Sequence, residues 1–222
     1  KKSLGQNFLV DTNIIKKIVD CASIENRNVL EVGPGTGNLT KEIIKKKPKK
    51  IFLIEKDNHL IEILKTQLNH DIKFINEDIL DVDENNLSNE ILTVFGNLPY
   101  NISTKILTNW ILNIKEKFWF DKLIIMFQKE VDDRIIANQD KKEYGRLSVL
   151  VHWKLNVSKI IDIKQNCFKP KPKVESTLLE FKPKEKFLKF KNKDSLETVT
   201  RIFFSQRRKK IKKSYFKLFN ET

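Results

Sequence analysis

The sequence predicts an α/β protein with a mostly parallel sheet, helices on both of its faces and a small helical appendage at the C-terminal end. Apolar runs of strand length alternate with stretches of helical spacing, which is the pattern of βαβ units. The last two apolar runs follow each other without a helix between them, which predicts an antiparallel pair at the sheet edge. A chain of 222 residues has room for one full domain of this class and an appendage.

The predicted elements follow one another regularly along the chain. Strands are predicted at residues 28–32, 50–55, 72–76, 92–96, 122–128, 148–155 and 176–181. Helices are predicted at residues 38–47, 58–69, 103–114 and 129–138. The Pro-Lys stretch at 169–173 predicts an extended loop, because proline fixes its own backbone and restricts the residue before it.

The chain is expected to divide into a main domain at residues 1–181 and a basic helical domain at residues 182–222. Residues 182–192 have the composition of a linker. Asp194 and Ser195 can cap a helix that runs to about Gln206, and residues 207–219 can form a second, very basic helix. Because two helices bury little surface on their own, they are expected to dock on the main domain.

Positive charge is concentrated at the C-terminal end. The formal net charge is +14, and residues 182–222 supply +10 of it, with fourteen Lys and Arg against four Asp and Glu. Such a distribution indicates a polyanion as partner, although a solvated lysine-rich surface is the alternative.

Composition also argues against several classes of protein. The two cysteines and three histidines lack ligand spacing, so no metal site is expected. No stretch approaches a membrane span and no signal peptide is evident, which predicts a cytoplasmic protein, or one of an organellar matrix if a targeting segment has been removed. A monomer is expected.

A glycine-rich turn, Glu31-Val32-Gly33-Pro34-Gly35-Thr36-Gly37, connects the first predicted strand to the first predicted helix. Ligands of open α/β sheets bind at such strand ends, and glycine lets the backbone approach them closely. The third glycine falls one residue early for the dinucleotide fingerprint, and Pro34 lacks the amide that a phosphate would need. The turn therefore favours a nucleoside-like ligand over a dinucleotide.

Polar groups end three further predicted strands. Glu55 can accept both hydroxyls of a ribose, or be a solvated charge. Asp78 can accept from an adenine amine while Ile79 covers the ring, although Glu77 and Asp81 are equally plausible surface acids. Residues 97–100, Asn-Leu-Pro-Tyr, combine an amide, a backbone carbonyl and an aromatic ring, which suits a planar heterocycle with an exocyclic amine; a capped turn is the alternative.

This order of strand ends resembles the Rossmann-like class I S-adenosylmethionine-dependent methyltransferases. More specifically, the chain resembles the rRNA adenine N6-dimethyltransferase family, and within it the small-subunit enzymes. The resemblance is carried by six segments in order across nearly the whole chain, namely residues 3–9 (SLGQNFL), 31–37 (EVGPGTG), 97–104 (NLPYNIST), 144–149 (YGRLSV), 168–176 (FKPKPKVES) and 204–209 (FSQRRK).

The resemblance implies roles for individual residues. S-adenosylmethionine would be the cofactor, with no metal, and immature small ribosomal subunits would be the partner. The implied cofactor-binding residues are Gln6, Asn7, Leu9, Glu31, Gly33, Gly35, Glu55, Lys56, Asp78, Ile79 and Asn97. Asn97, Leu98, Pro99 and Tyr100 would form the catalytic centre, and Phe168 would sandwich the target adenine opposite Tyr100 or pack in the core.

The basic residues expected to bind RNA are Arg134, Arg146, Arg207, Arg208, Lys209, Lys210 and Lys212. Their side chains suit phosphates, which position a nucleic acid without reading its sequence.

Three other functions fit parts of the sequence. Large-subunit rRNA adenine methyltransferases of the macrolide-resistance type share the cofactor elements. A non-catalytic ribosome-assembly or transcription factor could keep the fold, but a damaged tetrapeptide would then be expected. An NAD oxidoreductase is disfavoured by Pro34 and Asn38.

Overall fold

The computed structural model describes residues 7–114, 117–192, 194–205, 207 and 210–219. Its strands are β1 (Phe8–Leu9), β2 (Asn28–Val32), β3 (Lys50–Ile54), β4 (Ile72–Ile75), β5 (Leu92–Gly96), β6 (Phe120–Gln128), β7 (Leu155–Ile163), β8 (Phe168–Lys169) and β9 (Ser176–Pro183). Its helices are α1 (Thr12–Val19), α2 (Asn38–Lys45), α3 (Asn58–Gln67), α4 (Ser103–Asn113), α5 (Lys129–Ile136), α6 (Arg146–Lys154), α7 (Asp194–Ser205) and α8 (Ile211–Phe219).

Seven strands form one sheet in the order β4-β3-β2-β5-β6-β9-β7. The first five run parallel, and β9 and β7 pair antiparallel at one edge, which confirms the predicted class. Val32 is in register with Ile54 on one side and with Gly96 on the other, so the carboxyl ends of β2, β3 and β5 reach the same edge. Ligands of open α/β sheets bind at that edge.

Helices cover both faces of the sheet. Along β3, Ile51 and Leu53 pack into a cluster with α1, α2 and α3, whereas Phe52 and Ile54 pack into a second cluster with α4 and α6. Burial on both faces explains why the parallel strands are continuous apolar runs rather than alternating ones.

The prediction of a strand at residues 148–155 is wrong. These residues belong to helix α6 and to the first position of β7. Leu147, Leu150, Val151 and Lys154 are buried at the spacing of one helical face. The predicted antiparallel edge pair exists, but β7 and β9 form it.

Helix α7 packs on α6 of the main domain, and α8 packs on α7. Arg146 forms an ion pair of 2.6 Å with Glu197 of α7, and the rings of Tyr144 and Phe204 meet edge to face with centroids 6.0 Å apart. Strand β9 continues to Pro183, past residue 181, where the sequence places the boundary. The division into two domains stays a prediction.

Three elements near the N-terminus and the Pro-Lys loop lie outside the sequence prediction. Helix α1 begins at the cap Asp11, whose side chain accepts from the amides of Asn13 and Ile14 at 3.0 Å each. Strands β1 and β8 pair antiparallel and form a separate two-stranded sheet. This pairing brings the N-terminal segment to the edge where the parallel strands end.

Candidate functional site

Adjoining cavities open at the carboxyl ends of β2, β3 and β5. One, of about 60 Å³, is lined by Asn7, Phe8, Gly33, Gly35, Glu55, Asn97, Leu98, Pro99 and Tyr100. A larger one, of about 190 Å³, is lined by Val32, Gly33, Ile54, Glu55, Lys56, Glu77, Asp78, Ile79, Leu80, Pro99, Asn101 and Ile102. Gly33, Glu55 and Pro99 belong to both linings, so the two cavities share a wall. We call them the tetrapeptide cavity and the acidic cavity.

The glycine-rich turn is shaped for close approach. Gly33 and Gly35 have φ of 71° and 56°, in the left-handed region that favours glycine. A Cβ atom on Gly33 would lie 3.1 Å from the Asn97 carbonyl oxygen, and one on Gly35 would lie 2.6 Å from the Phe8 ring. Any larger residue would therefore push the turn away from the tetrapeptide or from β1.

Glu55 stands between the two cavities. Its side chain is buried, Oε2 accepts from the Gly35 amide at 3.3 Å, and Oε1 accepts from the Asp57 amide at 3.0 Å. Burial raises the pKa of this carboxyl above its ordinary range, although the backbone donors work against that rise. A carboxylate fixed by backbone amides is well suited to accept the two hydroxyls of a ribose.

Asp78 and Ile79 form the far wall of the acidic cavity. Asp78 Oδ2 pairs with Lys56 Nζ at 2.8 Å, and Oδ1 accepts from the Leu80 amide at 3.0 Å. The hydrogen bond from Lys56 holds the pKa of Asp78 below its ordinary value, so this group is a fixed acceptor. Ile79, mostly buried beside it, supplies an apolar surface for the face of a ring.

The tetrapeptide is fastened to two distant parts of the chain. Asn97 Nδ2 donates to the Asn7 carbonyl oxygen at 2.9 Å. Because a carbonyl only accepts, this contact fixes which end of the amide is the nitrogen. The Tyr100 hydroxyl lies 2.6 Å from Ser176 Oγ, and burial raises the pKa of the Tyr100 phenol.

Glu31 lines neither of these two cavities and contacts helix α2. It is 1% exposed, and its Oε2 accepts from Thr40 Oγ1 at 2.6 Å. Burial raises the pKa of this carboxyl to about 7. Glu31 and Asn97 both line a third, smaller cavity of about 20 Å³, so Glu31 lies near the carboxyl ends of the strands as well.

Two further predicted site residues, Leu9 and Phe168, are buried. Phe168 pairs with Leu9 across β8 and β1, and both side chains lie in the core cluster under α1 and α2. In this arrangement Phe168 packs in the core and does not line the tetrapeptide cavity. Its predicted contact with a target base stays a prediction, and Gln6 lies outside the described residues.

The predicted RNA-binding residues have different surroundings. Arg134, Lys210 and Lys212 are exposed. Arg146 pairs with Glu197, and Arg207 donates to the Lys142 carbonyl oxygen at 2.9 Å, so both also hold the appendage to the main domain. Arg208 and Lys209 lie outside the described residues. The part of each residue in RNA binding stays a prediction.

Two residues of the site were missed by reasoning from residue types. Phe8 covers the glycine-rich turn, and Ser176 holds the Tyr100 hydroxyl. Both lie inside segments that carry the family resemblance, 3–9 and 168–176, which is the signal that could have found them.

The sequence profile of the family described as "Ribosomal RNA adenine dimethylase" matches residues 1–222. The chain belongs to this family. A "Ribosomal RNA small subunit methyltransferase A" of Pelagibacter ubique is 58% identical over 220 residues, covering 99% of this chain and 84% of the relative. A protein of the same name from Wolbachia of Drosophila simulans is 44% identical, covering 100% of this chain and 82% of the relative.

Solved structures give the same fold. A dimethyladenosine transferase from Plasmodium falciparum superposes with a TM-score of 0.79 at 28% identity, covering 94% of this chain and 74% of that one. The 23S rRNA methyltransferase ErmE superposes with a TM-score of 0.70 at 24% identity over 95% of this chain and 84% of that one, which bears on the fold alone. The sheet is therefore that of class I S-adenosylmethionine-dependent methyltransferases.

The described part of the chain contains no helix long and apolar enough to cross a membrane. Within the same residues no group of three or more His, Cys, Asp or Glu side chains is arranged to hold a metal ion.

Proposed function

We propose that this chain transfers methyl groups from S-adenosylmethionine to N6 of two adjacent adenosines near the 3′ end of small-subunit rRNA. The adjacency and position of the adenosines come from the family resemblance. The proposal includes action on immature small subunits, as a monomer, in the cytoplasm or an organellar matrix. The observation that carries it is the shared wall of the two cavities, because a donor in one and an acceptor base in the other would meet at Gly33, Glu55 and Pro99.

The residues of the acidic cavity fit the adenosine half of the cofactor. Glu55 is a fixed acceptor for ribose hydroxyls, Asp78 is a fixed acceptor for the adenine amine, and Ile79 offers an apolar face. The tetrapeptide cavity, which Gly33, Gly35 and Asn97 line, would hold the methionine half. S-adenosylmethionine would supply an activated methyl group. When this group is transferred, the electrons of the carbon–sulfur bond would stay on sulfur.

The chain's own contribution to the reaction would be orientation. Asn97 Nδ2 is already committed to the Asn7 carbonyl, so Oδ1 is the amide atom suited to accept from the N6 amine. The Leu98 carbonyl oxygen would accept the second N–H, and the Tyr100 face would stack on the ring. Holding the reacting atoms roughly 3–3.5 Å apart accounts for much of the rate such sites achieve.

Proton transfer would follow methyl transfer. The N6 lone pair forms the new C–N bond, and the nitrogen then releases one proton to water. Glu31 and Glu55 are buried and hydrogen-bonded to Thr40 and to backbone amides, so neither is arranged as the base. The target adenine has to leave its stack to reach the cavity.

The test is methyl transfer to isolated small ribosomal subunits that lack the modification and, in a parallel reaction, to isolated large ribosomal subunits. With tritiated S-adenosylmethionine, we expect label in N6,N6-dimethyladenosine of the small-subunit rRNA. Absence of label would refute the enzymatic function, and label in large-subunit rRNA alone would show the macrolide-resistance type of activity instead.

A variant at the amide tests the assigned role. Asn97→Ala removes the acceptor for the amine and should lower kcat by at least about 100-fold, the size expected when a positioning contact of the reacting atom is lost. Cofactor binding, measured by equilibrium dialysis, should weaken less. Asn69→Ala, an exposed residue between α3 and β4, serves as the control. Full activity of Asn97→Ala would contradict the role.

A further inference from the structure

Ser176 is a buried hydroxyl that touches the tetrapeptide from another part of the fold. It is fully buried and lies at the first position of β9, paired with Gln128 of β6 and Ile163 of β7. Its Oγ lies 2.6 Å from the Tyr100 hydroxyl. Because Ser176 is paired on both sides, with β6 and with β7, its hydrogen bond connects the Tyr100 ring to the central sheet.

The opposite end of the tetrapeptide is tied separately. Asn97 is held by the Asn7 carbonyl, and Tyr100 by Ser176, so the two groups that would contact a base are fixed by independent partners. In addition, Ser103 Oγ donates to the Tyr100 carbonyl oxygen at 3.2 Å, which fixes the Tyr100 backbone but not its ring. Of these two contacts of Tyr100, the one with Ser176 reaches the ring.

The two methyl transfers differ in how many hydrogen bonds the target amine can donate to the tetrapeptide. An unmodified adenine amine has two N–H groups, which two acceptors, Asn97 Oδ1 and the Leu98 carbonyl, can hold. After one transfer and the release of one proton to water, a single N–H remains. One hydrogen bond to the tetrapeptide is then lost, and stacking on Tyr100 has to provide a larger share of the orientation.

We propose that Ser176 is a positioning residue for the second methyl transfer, acting through the orientation of the Tyr100 ring. The inference rests on the proposed function and concerns the product rather than the identity of the substrate. In each transfer the N6 lone pair bonds the methyl carbon, the carbon–sulfur bonding electrons go to sulfur, and one proton leaves the nitrogen.

The experiment compares product ratios for four variants: Ser176→Ala, Tyr100→Phe, the double variant that combines them, and a matched control. Ser176→Ala removes the partner of the phenol, and Tyr100→Phe removes the phenol but keeps the ring. Thr177→Val is the matched control, because Thr177 is the next residue, is also fully buried, and donates to Asp162 at 2.9 Å instead. Each protein is given unmodified small subunits, and N6-monomethyladenosine and N6,N6-dimethyladenosine are quantified at equal total methyl transfer.

We expect Ser176→Ala and Tyr100→Phe each to raise the ratio of monomethyl to dimethyl product roughly fivefold, which corresponds to one net hydrogen bond of about 1 kcal/mol. The double variant should show no larger change than either single one, since both remove the same contact. Thr177→Val should keep the wild-type ratio, and cofactor binding by equilibrium dialysis should be the same in all four variants.

The outcomes separate this inference from the proposed function. If the wild type transfers no methyl groups, the proposed function fails. If the wild type forms dimethyladenosine and both Ser176→Ala and Tyr100→Phe keep its product ratio, the inference is overturned alone. An equal rise in Thr177→Val would also overturn it, because the effect would then follow from loosening β9. If Ser176→Ala does not fold, Tyr100→Phe still decides.

Discussion

Glu31 is a carboxyl group that folding removes from water. Thr40 is its hydrogen-bond donor, Glu55 lies near enough to disfavour a second negative charge, and burial raises its pKa from an ordinary value of 4.5 to about 7. Between pH 4.5 and about pH 7, the folded protein therefore keeps a proton on Glu31 that the unfolded chain has released. The associated stability is fully present below about pH 4.5 and is lost as the pH rises through about 7.

Glu31→Gln should remove this dependence on pH. Glutamine keeps an oxygen that can accept from Thr40 but carries no charge. The free energy of unfolding of Glu31→Gln minus that of the wild type should grow by up to about 3 kcal/mol between pH 4.5 and pH 8, the size of a shift of this kind. Urea unfolding at a series of pH values measures it.

The exposed Glu25→Gln is the matched control, and its difference from the wild type should change little over the same range. A difference for Glu31→Gln that stays constant from pH 4.5 to pH 8 would show that burial does not perturb this carboxyl in the folded protein.

At the scale of residues, the sequence predicted that Glu55, Asp78 and Asn97 lie at one edge of the sheet, but not how each is held. Glu55, Asp78 and Asn97 were placed at successive strand ends, and strand ends of a parallel sheet share an edge. The ties from Asn7 and Ser176 join residues 90 and 76 positions apart. Such contacts depend on side-chain packing, which residue types and spacing do not encode.

Helix α4 follows the tetrapeptide, and a buried lysine of α6 contacts its C-terminal end. Lys154 of α6 is 3% exposed, and its Nζ donates to the carbonyl oxygens of Ile111 and Ile114 at 2.9 and 3.1 Å. A cation at a helix C-terminus satisfies carbonyls that have no partner within the helix and complements its dipole. The contact thereby fixes the far end of the helix that follows Asn97–Tyr100.

Lys154→Met should lower the free energy of unfolding by about 2 kcal/mol, because it leaves buried carbonyl oxygens without a donor. Methionine keeps most of the length and apolar contact of the side chain, so the loss reports mainly on the ammonium group. Urea unfolding at neutral pH measures it. Lys105→Met, an exposed position on α4 itself, is the control, and equal stability of the two variants would contradict the capping role.

The element that the sequence misassigned contains this same lysine. Residues 148–155 read as a short apolar run, and periodicity alone does not distinguish a buried strand from a buried helical segment. Lys154 also looks like a surface residue, since lysine is rarely buried without partners. In the structure, the carbonyl oxygens of Ile111 and Ile114 are the partners that allow Lys154 to be buried on α6.

For the whole molecule, the positive charge and the candidate binding site lie at different places in the sequence. Residues 182–222 carry +10 of the net +14, and α7 docks on α6 through Arg146 and Glu197. Composition predicted the basic end, whereas its docking depends on the long-range contacts of Tyr144 and Arg207.

Salt dependence tests whether the basic end binds RNA. Each phosphate contact adds roughly 0.7–0.9 to the slope of log affinity against log salt concentration. Replacing Lys210 and Lys212 by alanine should therefore reduce that slope by roughly 1.5 for small subunits, measured by filter binding between low and physiological salt. The control is the double variant Lys49→Ala with Lys117→Ala, which removes the same charge from two exposed positions. These positions precede β3 and β6 and so lie at the amino ends of the parallel strands, whereas the cavities lie at the carboxyl ends. Equal slopes for the two double variants would mean that net charge, and not the C-terminal helix, attracts the RNA.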